Sequence, residues 1–85
     1  MMNEKVYEFC VNWIGTWYGD YVDAHDDPID LSDTYFYELL YEIENEFPEL
    51  GTDDEAMDAI RITIYTASIH VWCEARGIEV LHVDR

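Results

Sequence analysis

The side chains that could do chemistry in this sequence are few, apart from its many carboxylates. Three histidines, His25, His70 and His82, lie far apart, and Cys10 and Cys73 do not form a metal-type Cys-x-x-Cys pair. The sequence contains no nucleotide-binding loop, no Gly-x-Ser-x-Gly elbow and no zinc-protease motif. We therefore expect no catalytic residues, no metal site and no cofactor, and we predict that the protein is not an enzyme.

A run of aspartates suggests a calcium-binding loop at first sight. It comprises Asp20, Asp23, Asp26, Asp27 and Asp30. The run lacks the glycine at the sixth position and the bidentate glutamate at the twelfth position that an EF-hand requires. We therefore expect nonspecific, weak binding of divalent cations at this run and no dedicated calcium site.

Net charge is the strongest functional signal in the sequence. There are 20 Asp and Glu residues but only four Lys and Arg residues, which gives a formal net charge of −16. The segment from Asp20 to Asp58 contains 15 carboxylates and no Lys or Arg. Direct binding to nucleic acid is disfavoured, because the charge has the wrong sign for releasing counterions from phosphates. The expected partner is a basic protein.

Four glutamates of the predicted second helix recur along one exposed row. Glu38, Glu42, Glu46 and Glu49 lie three or four positions apart, so neighbouring side chains are roughly 5–6 Å apart. Such a line of charge could enter an Arg/Lys-lined channel in place of a nucleic-acid backbone, which presents one phosphate per about 3.4 Å of helix axis along each strand. The predicted partner-binding residues are Asp26, Asp27, Asp30, Glu38, Glu42, Glu46, Glu49, Asp53 and Asp54.

Helical spacing of apolar residues predicts a first helix from about Asn3 to Tyr21, with Asn3 as its N-cap. Gly15 and Gly19 disfavour a long helix and could mark its early end. The predicted buried stripe is Val6, Cys10, Trp13, Trp17 and Tyr21.

A connection is predicted over residues 20–32, because the sequence around Pro28 favours a turn. The second helix is expected to begin near Ser32 or Asp33 and to end at Pro48. Its predicted buried stripe is Phe36, Leu39, Leu40, Ile43 and Phe47.

A capping box at Thr52–Glu55 predicts the start of a long third helix that ends at Gly77. Two apolar faces predict that this helix is central and covered on two sides. One face carries Met57, Ile60, Ile64, Ala67 and Val71, and the other carries Ile62, Tyr65, Ile69 and Trp72. The β-branched run at residues 62–69 leaves a strand open as an alternative.

The fold class is therefore predicted as mainly α, a single domain over residues 1–85 with a long central third helix. Alternating residues from Ile78 to Val83 predict a short C-terminal strand, which needs a partner strand within the fold or in a homodimer. A small α+β fold is the alternative.

The absence of a secretory signal or an apolar span predicts a cytoplasmic location and free thiols, with a Cys10–Cys73 disulfide as the alternative.

Three short segments resemble the opening of the ArdA-type antirestriction proteins. They are Gly15-Thr16-Trp17-Tyr18, Ile29-Asp30-Leu31-Ser32-Asp33 and Phe36-Tyr37-Glu38. The match needs a gap and stops before the third helix, and known members of the family are longer than this chain. The resemblance implies a strand at residues 5–14. In charge and size the chain also resembles other small acidic inhibitors of phages and mobile elements, including anti-CRISPR proteins and inhibitors of DNA-repair enzymes. No functional residue is transferred from either resemblance.

Charge, spacing and resemblance together predict an acidic inhibitor that occupies a nucleic-acid-binding surface of a host enzyme or CRISPR complex. Two alternatives remain. An interaction adaptor would bind through an aromatic or apolar patch, and a salt-adapted domain would use its acids for solubility. No membrane partner is expected.

Overall fold

Three helices make up nearly all of the structure. A computed structural model describes residues 3–78, which form α1 (Glu4–Ala24), α2 (Pro28–Glu46) and α3 (Asp54–Ala75). A 3-10 turn, Pro48–Leu50, follows α2. No strand is formed within residues 3–78, so the prediction of a mainly α fold is confirmed for this part of the chain.

The third helix is central, as the sequence predicts. It packs along both α1 and α2, which contact each other much less. All three helices contribute to one buried core: Val6, Cys10, Ile14, Val22, Leu31, Tyr35, Leu39, Ile43, Ile60, Ile64 and Ala67. The second apolar face predicted for α3 is only partly covered. Ile62 is 60% exposed and Ile69 is 40% exposed. Trp72, in contrast, packs against the core, and the Tyr65 ring stacks on that of Phe36 at 5.6 Å between centroids.

The predicted start of α2 near Ser32 or Asp33 is also wrong, by about one helical turn. The helix begins at Pro28, where the Asp27 side chain accepts a hydrogen bond from the backbone N–H of Ile29 at 2.8 Å. Proline suits this position, because the first residue of a helix has no internal partner for its N–H. The earlier start places Ser32 in the core and shortens the predicted connection to residues 25–27.

The other helix ends follow the sequence closely. Asn3 accepts hydrogen bonds from two backbone N–H groups and caps α1. Asp53, and not Thr52, caps α3 by accepting from the N–H of Ala56 at 2.9 Å. Gly77 has a φ of 70° and ends α3, since this left-handed conformation favours glycine.

The aromatic residues around a kink in α1 do not all face the core. Tyr18 has non-helical angles, with φ −130° and ψ 19°. Beyond it Val22 is buried, whereas Trp17 is 68% exposed and Tyr21 is 52% exposed. The prediction that Trp17 and Tyr21 belong to the buried stripe is therefore wrong. The buried row runs through Cys10, Ile14 and Val22, and Trp17, which precedes the kink, already lies beside this row.

The remaining alternatives concern strands and cysteines. The ArdA resemblance implies a strand at residues 5–14, but these residues are helical. The β-branched run at residues 62–69, for which a strand was the alternative, is helical as well. The strand predicted from Ile78 to Val83 lies, beyond Ile78, outside the described residues. Cys10 is buried, Cys73 is half-buried, and neither forms a disulfide.

Candidate partner-binding groove

The acidic row on α2 lies in the second half of the helix, where Glu38, Glu42 and Glu46 follow one another at intervals of four residues. Asp30 lies near the start of the same helix. With 3.6 residues per turn, Asp30 and Glu46 point about 160° apart around the helix axis, so Asp30 does not extend the row along one face.

The other predicted partner-binding residues lie at or beyond the two ends of α2. Asp26 is exposed in the turn before the helix, next to the capping residue Asp27. Glu49 lies in the 3-10 turn after the helix, and Asp53 and Asp54 open α3. Asp27 and Asp53 each use a carboxylate oxygen to cap a helix, so they are less free than the row to bind a partner.

A groove lies between α1 and the acidic row. Its volume is about 560 Å³. Aromatic side chains of α1 form one wall, and two glutamates of the row form the other. The lining residues are Phe9, Trp13, Trp17, Tyr18, Tyr21, Glu38 and Glu42. The sequence did not predict this groove, because it assigned the α1 aromatics to the core.

Tyr18 joins the two walls of the groove. Its hydroxyl donates a hydrogen bond to the carboxylate of Glu38. This hydrogen bond raises the pKa of Tyr18, since the ionised phenol would lose the bond and face a negative charge. The rings of Trp13 and Tyr21 each lie 5.4 Å from the Tyr18 ring between centroids, so the aromatic wall is nearly continuous.

Tyr35 supports the groove from the core. Its ring centroid is 5.0 Å from that of Tyr18 and 5.9 Å from that of Trp13. Its hydroxyl is 2.7 Å from the Ser68 hydroxyl, which in turn donates to the carbonyl of Ile64 at 2.8 Å. Because serine has a single hydroxyl proton, Tyr35 must be the donor to Ser68. This buried pair fixes α2 against α3 beneath the aromatic wall.

The turn that carries Asp26 and Asp27 is held by the end of α3. Arg76 donates hydrogen bonds to the carbonyls of Val22, at 3.2 Å, and His25. Trp72 donates its indole N–H to the same His25 carbonyl at 3.0 Å, and the Arg76 guanidinium lies 4.2 Å from the centre of the Trp72 ring.

In the described part of the chain, few cations lie near the acidic row. Arg61 pairs with Asp58 at 2.8 Å, and Arg76 is bound to backbone carbonyls. His25 lies 4.0 Å from Asp30, near the start of α2. No Lys, Arg or His lines the groove within residues 3–78, so the charges of Glu38 and Glu42 are not neutralised there by a side chain.

The described residues show no arrangement typical of a metal or thiol site. Within residues 3–78, no three His, Cys, Asp or Glu side chains are arranged to hold a metal ion. Burial raises the pKa of the Cys10 thiol to about 12, so Cys10 is protonated at neutral pH and packs in the core.

Fold and site define a small three-helix protein with an acidic groove walled by aromatic side chains. Comparisons with protein-family models, with curated proteins and with solved structures found no match to the chain. Across the described residues, none of the helices combines the length and apolar character that crossing a bilayer requires.

Proposed function

We propose that this protein is an acidic inhibitor of the antirestriction or anti-CRISPR kind. It occupies a basic nucleic-acid-binding surface of a host defence or nucleic-acid enzyme in the cytoplasm, and it acts by competition, without catalysis. The observation that carries the proposal is the row of Glu38, Glu42 and Glu46 on one rigid helix. Glu38 and Glu42 in this row have no Lys, Arg or His beside them in the groove.

Electrostatics favour a basic partner. Like charges crowded on one side of a small protein repel each other, and an oppositely charged surface relieves that repulsion. The same field attracts a basic surface over long range and raises the association rate. Because exposed charges are screened beyond about 8 Å at physiological ionic strength, binding should weaken steeply as salt is added.

Rigidity favours competition with nucleic acid. The carboxylates of the row are held on a helix whose Leu39 and Ile43 are fully buried. Little conformational entropy is then lost when the row enters a groove, which increases affinity for a given set of contacts.

Charge variants test the proposal on a panel of purified restriction enzymes and CRISPR effector complexes. We expect the protein to block DNA cleavage by at least one member of the panel. Glu42→Lys combined with Glu46→Lys should weaken inhibition at least about tenfold, whereas Glu4→Lys combined with Glu55→Lys, which carries the same change in charge, should weaken it much less. Equal loss in both double variants, or no inhibition anywhere in the panel, would contradict the proposal.

A second candidate function, an interaction adaptor, is favoured by one observation on α3. Residues 62–73 contain no Asp, Glu, Lys or Arg, and Ile62 and Ile69 are exposed on this segment. An adaptor binding here would lose its partner in Ile62→Lys or Ile69→Lys variants, and its binding would persist in salt. The inhibitor would tolerate both changes and would be released by salt.

A further inference from the structure

We propose that the groove between α1 and α2 is a binding site for an arginine side chain of the basic partner. The inference rests on the proposed function, because that function supplies the basic partner, and it deepens it by naming the side chain that binds beside Glu38 and Glu42 of the row. The acidic row provides attraction along its whole length, whereas the groove provides one site with a chemical preference.

The walls of the groove suit a planar cation. Trp13, Trp17 and Tyr18 present ring surfaces on one side, and Glu38 and Glu42 present carboxylates on the other. A guanidinium stacks on aromatic faces and also donates paired hydrogen bonds to a carboxylate. A lysine ammonium is not planar, so it neither stacks flat on a ring nor forms a bidentate pair with a carboxylate. A groove with one aromatic wall and one carboxylate wall therefore favours arginine.

Exposure of the aromatic wall also points to an occupant. Trp17 is 68% exposed and Tyr21 is 52% exposed, although both sit among apolar positions at helical spacing. Large aromatic side chains in such a cluster are characteristic of binding surfaces, where they bury much area at little entropic cost. Since the adjacent carboxylates attract cations and repel anions, the occupant must carry positive charge.

Among residues 3–78, no arginine lines the groove. The two arginines of this range are Arg61, which pairs with Asp58, and Arg76, which binds the carbonyls at the end of α1. Tyr18 already holds Glu38 in place with its hydroxyl, so the carboxylate is oriented before a ligand arrives. The Glu42 carboxylate makes no hydrogen bond to another described residue, so both of its oxygens can accept from a guanidinium.

Titration calorimetry with two peptides of equal charge, hexa-arginine and hexa-lysine, tests the site on the full chain. We expect hexa-arginine to bind roughly two- to fivefold more tightly than hexa-lysine, which is the range of a cation–π contribution at an exposed site. Trp17→Ala should abolish this preference, and Glu42→Gln should weaken binding of both peptides. Tyr41→Ala is the matched control, because Tyr41 is 62% exposed on α2 but does not line the groove.

Several outcomes would overturn the inference. Equal affinity for the two peptides, a preference that survives Trp17→Ala, or no binding of either peptide would each show that the groove does not select arginine. A dimer in sedimentation that Trp17→Ala dissociates would show that a second copy fills the groove. Failure of the proposed function looks different: the arginine preference would remain, but the protein would not compete with nucleic acid on any enzyme.

Discussion

The hydroxyl of Tyr18 donates a hydrogen bond to the carboxylate of Glu38, across the groove that separates α1 from α2. Tyr18 is also the residue at which α1 kinks, so the same position shapes the aromatic wall and orients the first glutamate of the groove. The kink and the hydrogen bond therefore meet at one residue that lines the groove.

This contact predicts a tyrosine that ionises at unusually high pH. Glu38→Gln removes the negative acceptor, so the pKa of Tyr18 should fall toward its ordinary value of 10.0. Ultraviolet titration of the tyrosines should show one group shifting to lower pH in Glu38→Gln and no shift in the control Glu55→Gln. Superimposable curves for Glu38→Gln and the natural sequence would show that the contact does not form in solution.

The buried hydroxyl pair beneath the groove should contribute measurably to stability. Tyr35→Phe should lower the free energy of unfolding by about 1 kcal/mol, and Ser68→Ala by about 1–3 kcal/mol, because it leaves the buried Tyr35 donor without its acceptor. In chemical denaturation the double variant should be less destabilised than the sum of the two single variants. Strict additivity would mean that the two hydroxyls do not interact.

Alkaline pH should destabilise the fold. Burial raises the pKa of Cys10 from 9.0 to about 12 and the pKa of Tyr35 from 10.0 to about 12. The folded state then binds more protons than the unfolded state over this range, so stability falls as pH rises from about 9 to about 12. Tyr35→Phe and Cys10→Ala should each show a shallower loss of stability over that window than the natural sequence. An unchanged pH slope in both variants would contradict this assignment.

Arg76 should contribute more than Arg61 to the free energy of unfolding. Arg61 lies within α3, and Arg76 is the residue that caps its C-terminal end. Arg76→Met removes hydrogen bonds to the carbonyls of Val22 and His25 and should cost about 1–3 kcal/mol in thermal or chemical unfolding. Arg61→Met breaks only an exposed pair with Asp58 and should cost less than about 1 kcal/mol. Equal effects would show that the α1–α2 turn does not depend on Arg76.

Much of the helical framework could be predicted from the sequence, because amphipathic spacing and capping residues act locally. Asn3 and Gly77 end their helices as expected. The start of α2 was missed, because an Asp-Pro pair fits both a turn and the first residues of a helix. Only the packing of Leu31 against the core decides between them.

The groove could not be predicted, because apolar residues occupy two neighbouring rows of α1 and only tertiary packing decides which row is buried. Trp17 and Tyr21 fit the buried stripe of an unbroken α1, and nothing in their own residue types indicates exposure. The neighbouring glycines gave the only signal of a break, and they did not show that Val22 would turn inward in place of Tyr21. The acidic row was predicted because surface charge depends on spacing along one helix, not on tertiary packing.

The central claim is that this protein and nucleic acid exclude each other from one basic surface. In the most direct measurement, an enzyme that this protein inhibits is mixed with the enzyme's labelled nucleic acid and with increasing amounts of this protein, and the complexes are separated by size. We predict two binary complexes, enzyme with nucleic acid and enzyme with this protein. Added protein should displace the nucleic acid, and salt should reduce that displacement. A stable ternary complex that holds nucleic acid in its normal groove would contradict it.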